Sequence, residues 1–345
     1  MPRVIEGRAV RWFDLHRPAA LICAVTERAL CCPDPARCFL SLTRMKKRGK
    51  VIGVALLAVA ALIALGWVFV VPGEVKTLVR FSRWHDSHLR ASGYVDREPA
   101  GTRIYWEEFG RADGPPVIVL HAGLCSIAFM GAQIESLAAE FYRVIAIDSR
   151  GHGKSSNTAP VQTYEMLSDD VVGVMDALKT AHADIVGWSD GGNLGLDLAR
   201  RYPDRIHKVV AFGANRTPPP DGQDPGQTKQ FKDAKPDAAM FWPLRTLYEK
   251  NSPTPDKWSE FFERERAMVF AGPNWSLEQL ATIRAPVLLL NGEDDLVLLP
   301  YATEMKNAIP GARLEIVPGE AHELPLANPV AANPIMLAFL RQKPL

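Results

Sequence analysis

Residues 183–192 read Ala-Asp-Ile-Val-Gly-Trp-Ser-Asp-Gly-Gly. An apolar stretch of strand length runs into a Gly-x-Ser-x-Gly pattern, and a helix-like segment at 193–202 follows at once. Few folds accept that order. A strand that reverses into a helix over so few residues brings backbones close together, and glycines on either side of Ser189 leave the room required. Ser189 then takes a strained backbone conformation with its hydroxyl exposed. The helix behind it directs free N–H groups at any anion that forms nearby.

The pattern alone occurs in many unrelated chains, so its partners decide. A serine hydroxyl needs a base to take its proton, and a carboxylate to hold that base in one tautomer. Downstream of Ser189 stand only His207 and His322. His207 lies between Arg205 and Lys208 and reads as a solvated surface residue. His322 closes Pro-Gly-Glu-Ala-His at 318–322, just beyond the strand-like run 314–317. Between them, the apolar run 286–290 ends in Asn-Gly-Glu-Asp-Asp. Asp295, three residues past the turn glycine, is the favoured acid, and Asp294 is its close alternative. For an oxyanion the chain offers the backbone N–H of Asp190 and, in the loop after the strand-like run 116–120, that of Gly123, with Leu124 in reserve. Loss of one such donor costs about 3–4 kcal/mol of barrier. His121 reads as a buttress of that loop.

These pieces resemble the α/β-hydrolase fold superfamily. The resemblance rests on His121-Ala122-Gly123, the run 148–155 (Asp-Ser-Arg-Gly-His-Gly-Lys-Ser), Gly187 to Gly192, Gly292 to Asp295 and Gly319 to His322, and spans about residues 95–342. The elbow followed by Arg201-Tyr202-Pro203-Asp204-Arg205-Ile206 is most similar to valacyclovir hydrolase-like and proline iminopeptidase-like esterases. The resemblance implies a mostly parallel eight-stranded sheet with helices on both faces and an inserted helical cap. It also implies hydrolysis of an ester, thioester or amide through an acyl-enzyme. One departure is Ala122, where the commoner pattern has glycine.

The alternation of strand-like and helix-like runs agrees with a parallel sheet covered on both faces. From 214 to 281 it stops. A Pro/Gly-rich stretch at 217–226 gives way to aromatic, helix-like segments (Phe241, Trp242, Leu247, Tyr248, Trp258, Phe261, Phe262, Phe270), read as a cap over the site. The organisation is therefore core at 95–213, cap at 214–281 and core again at 282–345. Gly153-Lys154-Ser155 lacks the upstream glycine of a phosphate-binding loop, since Asp148 stands there.

Residues 51–71 carry no charge over about the 20 residues a membrane-spanning helix needs, and Met45-Lys46-Lys47-Arg48-Gly49-Lys50 precedes them. The region 45–73 is read as basic flank and transmembrane anchor, with the catalytic domain on the extracytoplasmic side. A cleaved signal, giving a secreted protein, is the alternative. Residues 74–94 read as a polar linker. Residues 1–44, rich in arginine and holding Cys23, Cys31, Cys32 and Cys38, show no periodicity. They are expected to precede a natural start at Met45.

With 40 Lys and Arg against 39 Asp and Glu, the net charge is near zero and gives no nucleic-acid footprint. His85 and His88 lack a third ligand, so no metal is assigned, nor any cofactor or protein partner. The expected activity is cleavage of a small-molecule ester. The alternatives are an aminopeptidase whose amine is held by Glu249, Glu260, Glu263 or Glu265, a cofactor-free perhydrolase, and a non-catalytic tethered binding protein.

Overall fold

The computed structural model describes residues 72–342. Residues 1–44 and the apolar run 51–71 lie outside them. Among the described residues no helix is long and apolar enough to cross a membrane.

Eight strands form one sheet: β1 (Ala91–Arg97), β2 (Thr102–Gly110), β3 (Pro116–Leu120), β4 (Arg143–Ile147), β5 (Ala183–Trp188), β6 (Ile206–Phe212), β7 (Val287–Asp294) and β8 (Arg313–Ala321). Their spatial order is β1-β2-β4-β3-β5-β6-β7-β8. β2 runs antiparallel to both neighbours, and every later pairing is parallel. The central strands are short apolar runs because both faces of a parallel sheet are covered. β5 is buried along its whole length, and β3 and β4 are buried after their first residue.

α1 (Gly73–His88) precedes β1, and α2 (Gly131–Ala139), α3 (Tyr164–Ala177) and α4 (Asp190–Arg201) cover the core between strands. After β6 come α5 (Pro225–Asp233), α6 (Trp242–Asn251) and α7 (Trp258–Ala271), after β7 comes α8 (Leu299–Ala308), and after β8 comes α9 (Pro329–Leu340). Two apolar clusters lie on the two faces of the sheet. A third, built on Tyr248, Trp258, Phe261 and Phe262, holds α5–α7 together.

The reading of 74–94 as a polar linker is corrected. That stretch forms α1 and the start of β1. Its many charges conceal a stripe at helical spacing. Thr77 and Phe81 are buried, and the Thr77 hydroxyl donates to the Leu326 carbonyl at 3.0 Å. The Phe81 ring meets Phe109 edge-on, with centroids 6.2 Å apart, and Trp84 lies 5.5 Å from Phe109. β1 escaped notice because only its alternate residues are half-buried; an edge strand packs one face.

Right-handed crossovers place the ends of β3, β5, β7 and β8 along one edge of the sheet. The loops there carry Gly123, Ser189, Asp295 and His322.

Candidate active site

Ser189 sits between β5 and α4 with φ 54° and ψ −114°. A non-glycine residue in that region carries about 1–3 kcal/mol of strain. The surroundings enforce it. A Cβ on Gly187 would lie 2.0 Å from the Gly191 carbonyl oxygen, and one on Gly191 would lie 2.3 Å from that of Leu120. The turn closes so tightly that only hydrogen fits at both places. The Ser189 N–H donates to Phe212 at 2.7 Å, and its carbonyl accepts the Asn193 N–H at 2.9 Å, so both neighbouring elements fix it.

The structure brings three distant side chains into one chain of hydrogen bonds. His322 Nε2 lies 2.9 Å from Ser189 Oγ, and His322 Nδ1 lies 2.7 Å from Asp295 Oδ1. The carboxylate fixes the ring as the Nδ1–H tautomer, leaving Nε2 to accept the serine proton. Asp295 is itself held, by the Val297 N–H at 3.0 Å and by Asn291 Nδ2 at 3.3 Å. Asp294, the alternative acid, ends β7 exposed to solvent and does not reach His322. Burial works against a charged His322, but the Asp295 carboxylate outweighs it and raises the imidazole above its ordinary value.

Two supports of the imidazole were not apparent from sequence. Trp188, within the elbow, donates its indole N–H to the His322 carbonyl at 2.8 Å. Gly213, at the end of β6, has φ 54°, and a Cβ there would lie 2.7 Å from His322 Nδ1 and 3.1 Å from Asp295 Oδ2. A glycine directly after a strand that neighbours the elbow strand is a weak indication of such a crossing.

Asp190 is the first residue of α4, so its N–H has no acceptor within the helix. In the loop after β3, the Leu124 N–H is already given to His152 Nε2 at 3.2 Å. Gly123 is the remaining candidate donor there. His121 buttresses this loop, with Nδ1 on the Ala122 carbonyl at 2.7 Å and Nε2 accepting the Ser149 N–H at 3.0 Å. Burial, helped by neighbouring His152, pushes its pKa down to about 3, so it is neutral. The run 148–155 is a structural knot. The Asp148 carboxylate accepts the N–H groups of Ile127 and Lys154, each at 2.8 Å. Burial lifts that carboxyl to about 6.

A cavity of about 380 Å³ opens onto Ser189 and His322. Phe231, Phe241, Leu244, Val269 and Phe270 of α5–α7 and the turns between them line it, while Trp258 and Phe262 stay in the interior of that subdomain. Its wall is mostly apolar, with Asn215, Gln223 and Glu265 among the polar exceptions. A wider hollow of about 570 Å³ beside α8 is open to solvent and carries neither serine nor histidine.

The other sequence candidates are dispersed. Glu249, Glu260 and Glu263 pair with Arg245, Lys257 and Arg266 on the outer surface. Glu265 alone of the four reaches the cavity. His207 is exposed and stacks on His182. Cys125 is buried and unbridged, and burial raises its thiol pKa. His85 is less solvated than expected: Nε2 lies 2.9 Å from Glu107 and Nδ1 2.8 Å from Asp86. No group of His, Cys, Asp and Glu among the described residues could hold a metal ion.

Residues 117–333 match the model of the alpha/beta hydrolase family. The chain belongs to that family and is a hydrolase with esterase relatives. A candidate carbamate hydrolase, RutD, of Caulobacter sp. (strain K31) is 31% identical over 67% of this chain and 92% of its own length. The human serine hydrolase BPHL is 28% identical over 70% of this chain and 84% of its own. Among solved structures, carboxylesterase CesB of Bacillus subtilis superposes with a TM-score of 0.59 at 22% identity, covering 77% of this chain and 99% of CesB. That likeness shows the fold.

Proposed function

We propose that the chain is a serine esterase that cleaves carboxylic esters, or thioesters, of small to medium, partly apolar substrates through an acyl-enzyme. The observation that carries this reading is the Ser189–His322–Asp295 hydrogen-bonded chain, with links of 2.9 and 2.7 Å, facing a mostly apolar cavity. The name of a bifunctional esterase/perhydrolase among the relatives supports it.

In the first half-reaction His322 Nε2 takes the Ser189 proton as Oγ attacks the ester carbonyl. The carbonyl oxygen gains negative charge and lies against the N–H groups of Gly123 and Asp190, which donate most strongly once the charge has formed. Asp295 keeps the imidazolium oriented. His322 then protonates the leaving alcohol or thiol. In the second half-reaction water replaces the alcohol, His322 takes its proton, and the acid leaves with Ser189 restored.

Ser189→Ala is expected to lower kcat on the order of 10⁴- to 10⁶-fold and to leave the folded protein's circular dichroism intact. Labelling by a fluorophosphonate should be stoichiometric in the parent and absent in this variant. Substantial turnover without the hydroxyl removes the mechanism, and a parent that never labels favours the non-catalytic alternative.

A second reading is favoured by one observation. Glu265 places a carboxyl in the cavity wall, where an aminopeptidase needs a group to hold a free amine. Kinetics on matched acyl esters and aminoacyl amides separate the two. The tether belongs to the same proposal: residues 51–71 anchor the domain on the extracytoplasmic side. Release of the native protein from membranes by alkaline carbonate counts against an anchor.

A further inference from the structure

Beneath the oxyanion loop lies a cluster that the proposed mechanism does not use. Asp190 and Glu265 are both buried, 8% and 1% exposed, and their carboxyls close on one point beside Gly123. Each outer oxygen already has a donor. Tyr164 gives its hydroxyl proton to Asp190 Oδ1, and Gln162 Nε2 donates to Glu265 Oε2 at 2.7 Å. The inner oxygens face the same point: a Cβ on Gly123 would lie 2.3 Å from Asp190 Oδ2 and 3.0 Å from Glu265 Oε1. Glu265 Oε1 is buried and receives no hydrogen from any ordinary donor. His152 Nε2 stands 3.4 Å from it, but its lone pair is committed to the Leu124 N–H, with Nδ1 on the Arg150 carbonyl at 3.1 Å.

Two carboxylates cannot both stay ionised at such a contact in a dry interior, because like charges there repel strongly. One proton between them removes the repulsion and supplies the missing donor. The elements joined in this way matter. Asp190 follows the nucleophile and carries one proposed oxyanion N–H, and Gly123 carries the other. Glu265 comes from α7, in the segment inserted after β6.

Resting on the reading of Gly123 and Asp190 as oxyanion donors, we propose that Glu265 is a positioning residue. Through one proton shared with Asp190, it clamps α7 onto the two segments that form the oxyanion hole. The titratable groups facing the pair are Tyr164 of α3, His121, Cys125 and His152 of the loops after β3 and β4, and His322 after β8. Of these, His121 is neutral and the Tyr164 hydroxyl is held well above its ordinary value, first by burial and then by Asp190. Burial and the Glu265 charge raise Asp190 to about 7, so the proton sits on Asp190. The shared proton is therefore held through the acid range and leaves to solvent as pH rises through about 7. Two buried negative charges then push α7 and Asp190 apart, and the oxyanion donors lose their register.

The test follows two rates from about pH 5 to about pH 10, a span that covers both the base and the pair. One is hydrolysis of p-nitrophenyl butyrate, and the other is fluorophosphonate labelling of Ser189, which needs only the serine, its base and the oxyanion donors. The parent is expected to lose kcat on the alkaline side, with KM little changed. Glu265→Ala should lower kcat roughly 10-fold or more at all pH values, since misplacing a stabilising group is felt mainly in the transition state. Glu265→Gln keeps a neutral donor toward Asp190. It should recover most of the kcat lost in the alanine variant and abolish the alkaline limb in both rates. An alkaline limb that persists in Glu265→Gln, or a parent profile flat above neutrality, overturns the proposal. If Glu265→Ala does not fold, the Glu265→Gln profile decides alone. Failure here with Ser189 still labelled leaves the esterase reading standing, whereas a parent that is never labelled removes the reading itself.

Discussion

Two histidine–carboxylate pairs stand near one cavity and do different work. His322 and Asp295 meet at 2.7 Å through Nδ1, and the other ring nitrogen faces a serine hydroxyl at 2.9 Å. His152 and Glu265 approach at 3.4 Å through Nε2, and the other ring nitrogen is tied to the Arg150 carbonyl. His152 is buried and His322 half-buried, and both are raised above their ordinary value, against desolvation, by a carboxylate. A shifted pKa therefore does not separate a candidate base from a structural histidine. The difference is where the second nitrogen points. In His322 it is left for a group that can give up a proton; in His152 both nitrogens are taken by the backbone.

The sharpest way to break this comparison is at the acids. Asp295→Asn removes the group that fixes the His322 tautomer, and kcat should fall on the order of 10⁴-fold. Asp294→Asn, one residue away on the exposed end of β7, should stay within about twofold, as surface changes remote from a site usually do. Steady-state kinetics on one ester measure both. Equal losses would mean that the hydrogen bond to Asp295 does not orient the base.

A smaller effect tests the passage beside the imidazole. Gly213→Ala puts a methyl group at 2.7 Å from His322 Nδ1 on a residue with positive φ. The ring must shift, and a displacement of about 1 Å at a catalytic group can cost roughly 10²-fold in rate. Gly213 also lines the cavity, but the added methyl group meets the imidazole first, so kcat should carry most of the loss. A change confined to KM would show that His322 tolerates the shift.

The acid limb is smaller again. A general base must be neutral, and a raised pKa keeps His322 protonated to higher pH. The kcat/KM profile should therefore fall on acidification with a midpoint above that of an ordinary histidine, and activity should be regained as pH rises through it. In Asp295→Asn the residual activity should show that midpoint moved down, because the carboxylate charge is gone. A midpoint that stays in place would assign the limb to another group.

Much of this arrangement was legible in the sequence, for a definite reason. Ser189 shows itself because a tight strand-to-helix turn demands glycines at fixed spacing, and His322 because chain order left one histidine at a strand end. Asp294 and Asp295 could not be ranked firmly. Which carboxyl turns inward depends on where β7 ends, and the strand holds Asp294 outward while Asp295 folds back to meet the Val297 N–H. Glu265 was only one of four cap glutamates. Its place between Phe261 and Met268, on the buried face of α7, sets it apart, but that face is defined by packing that sequence alone does not show.

The same limit explains α1, and it yields the prediction with the least effect on chemistry. Charges at Glu74, Lys76, Arg80, Arg83 and Asp86 made residues 74–94 read as a linker, yet Phe81 is 3% exposed and packs against Phe109 under β2. A linker side chain can be truncated freely, whereas a buried one leaves a cavity. Phe81→Ala should therefore destabilise the domain by about 3–5 kcal/mol, the usual range for a core phenylalanine. Ser189 lies on other elements, so fluorophosphonate labelling per folded molecule should stay within about twofold of the parent. Urea unfolding followed by the tryptophan signal measures the first quantity, and active-site titration measures the second. A midpoint that does not move would return α1 to the role of a tether lying loosely on the surface. A large loss of labelling at full stability would mean that α1 reaches the site through α2 and the loop before it.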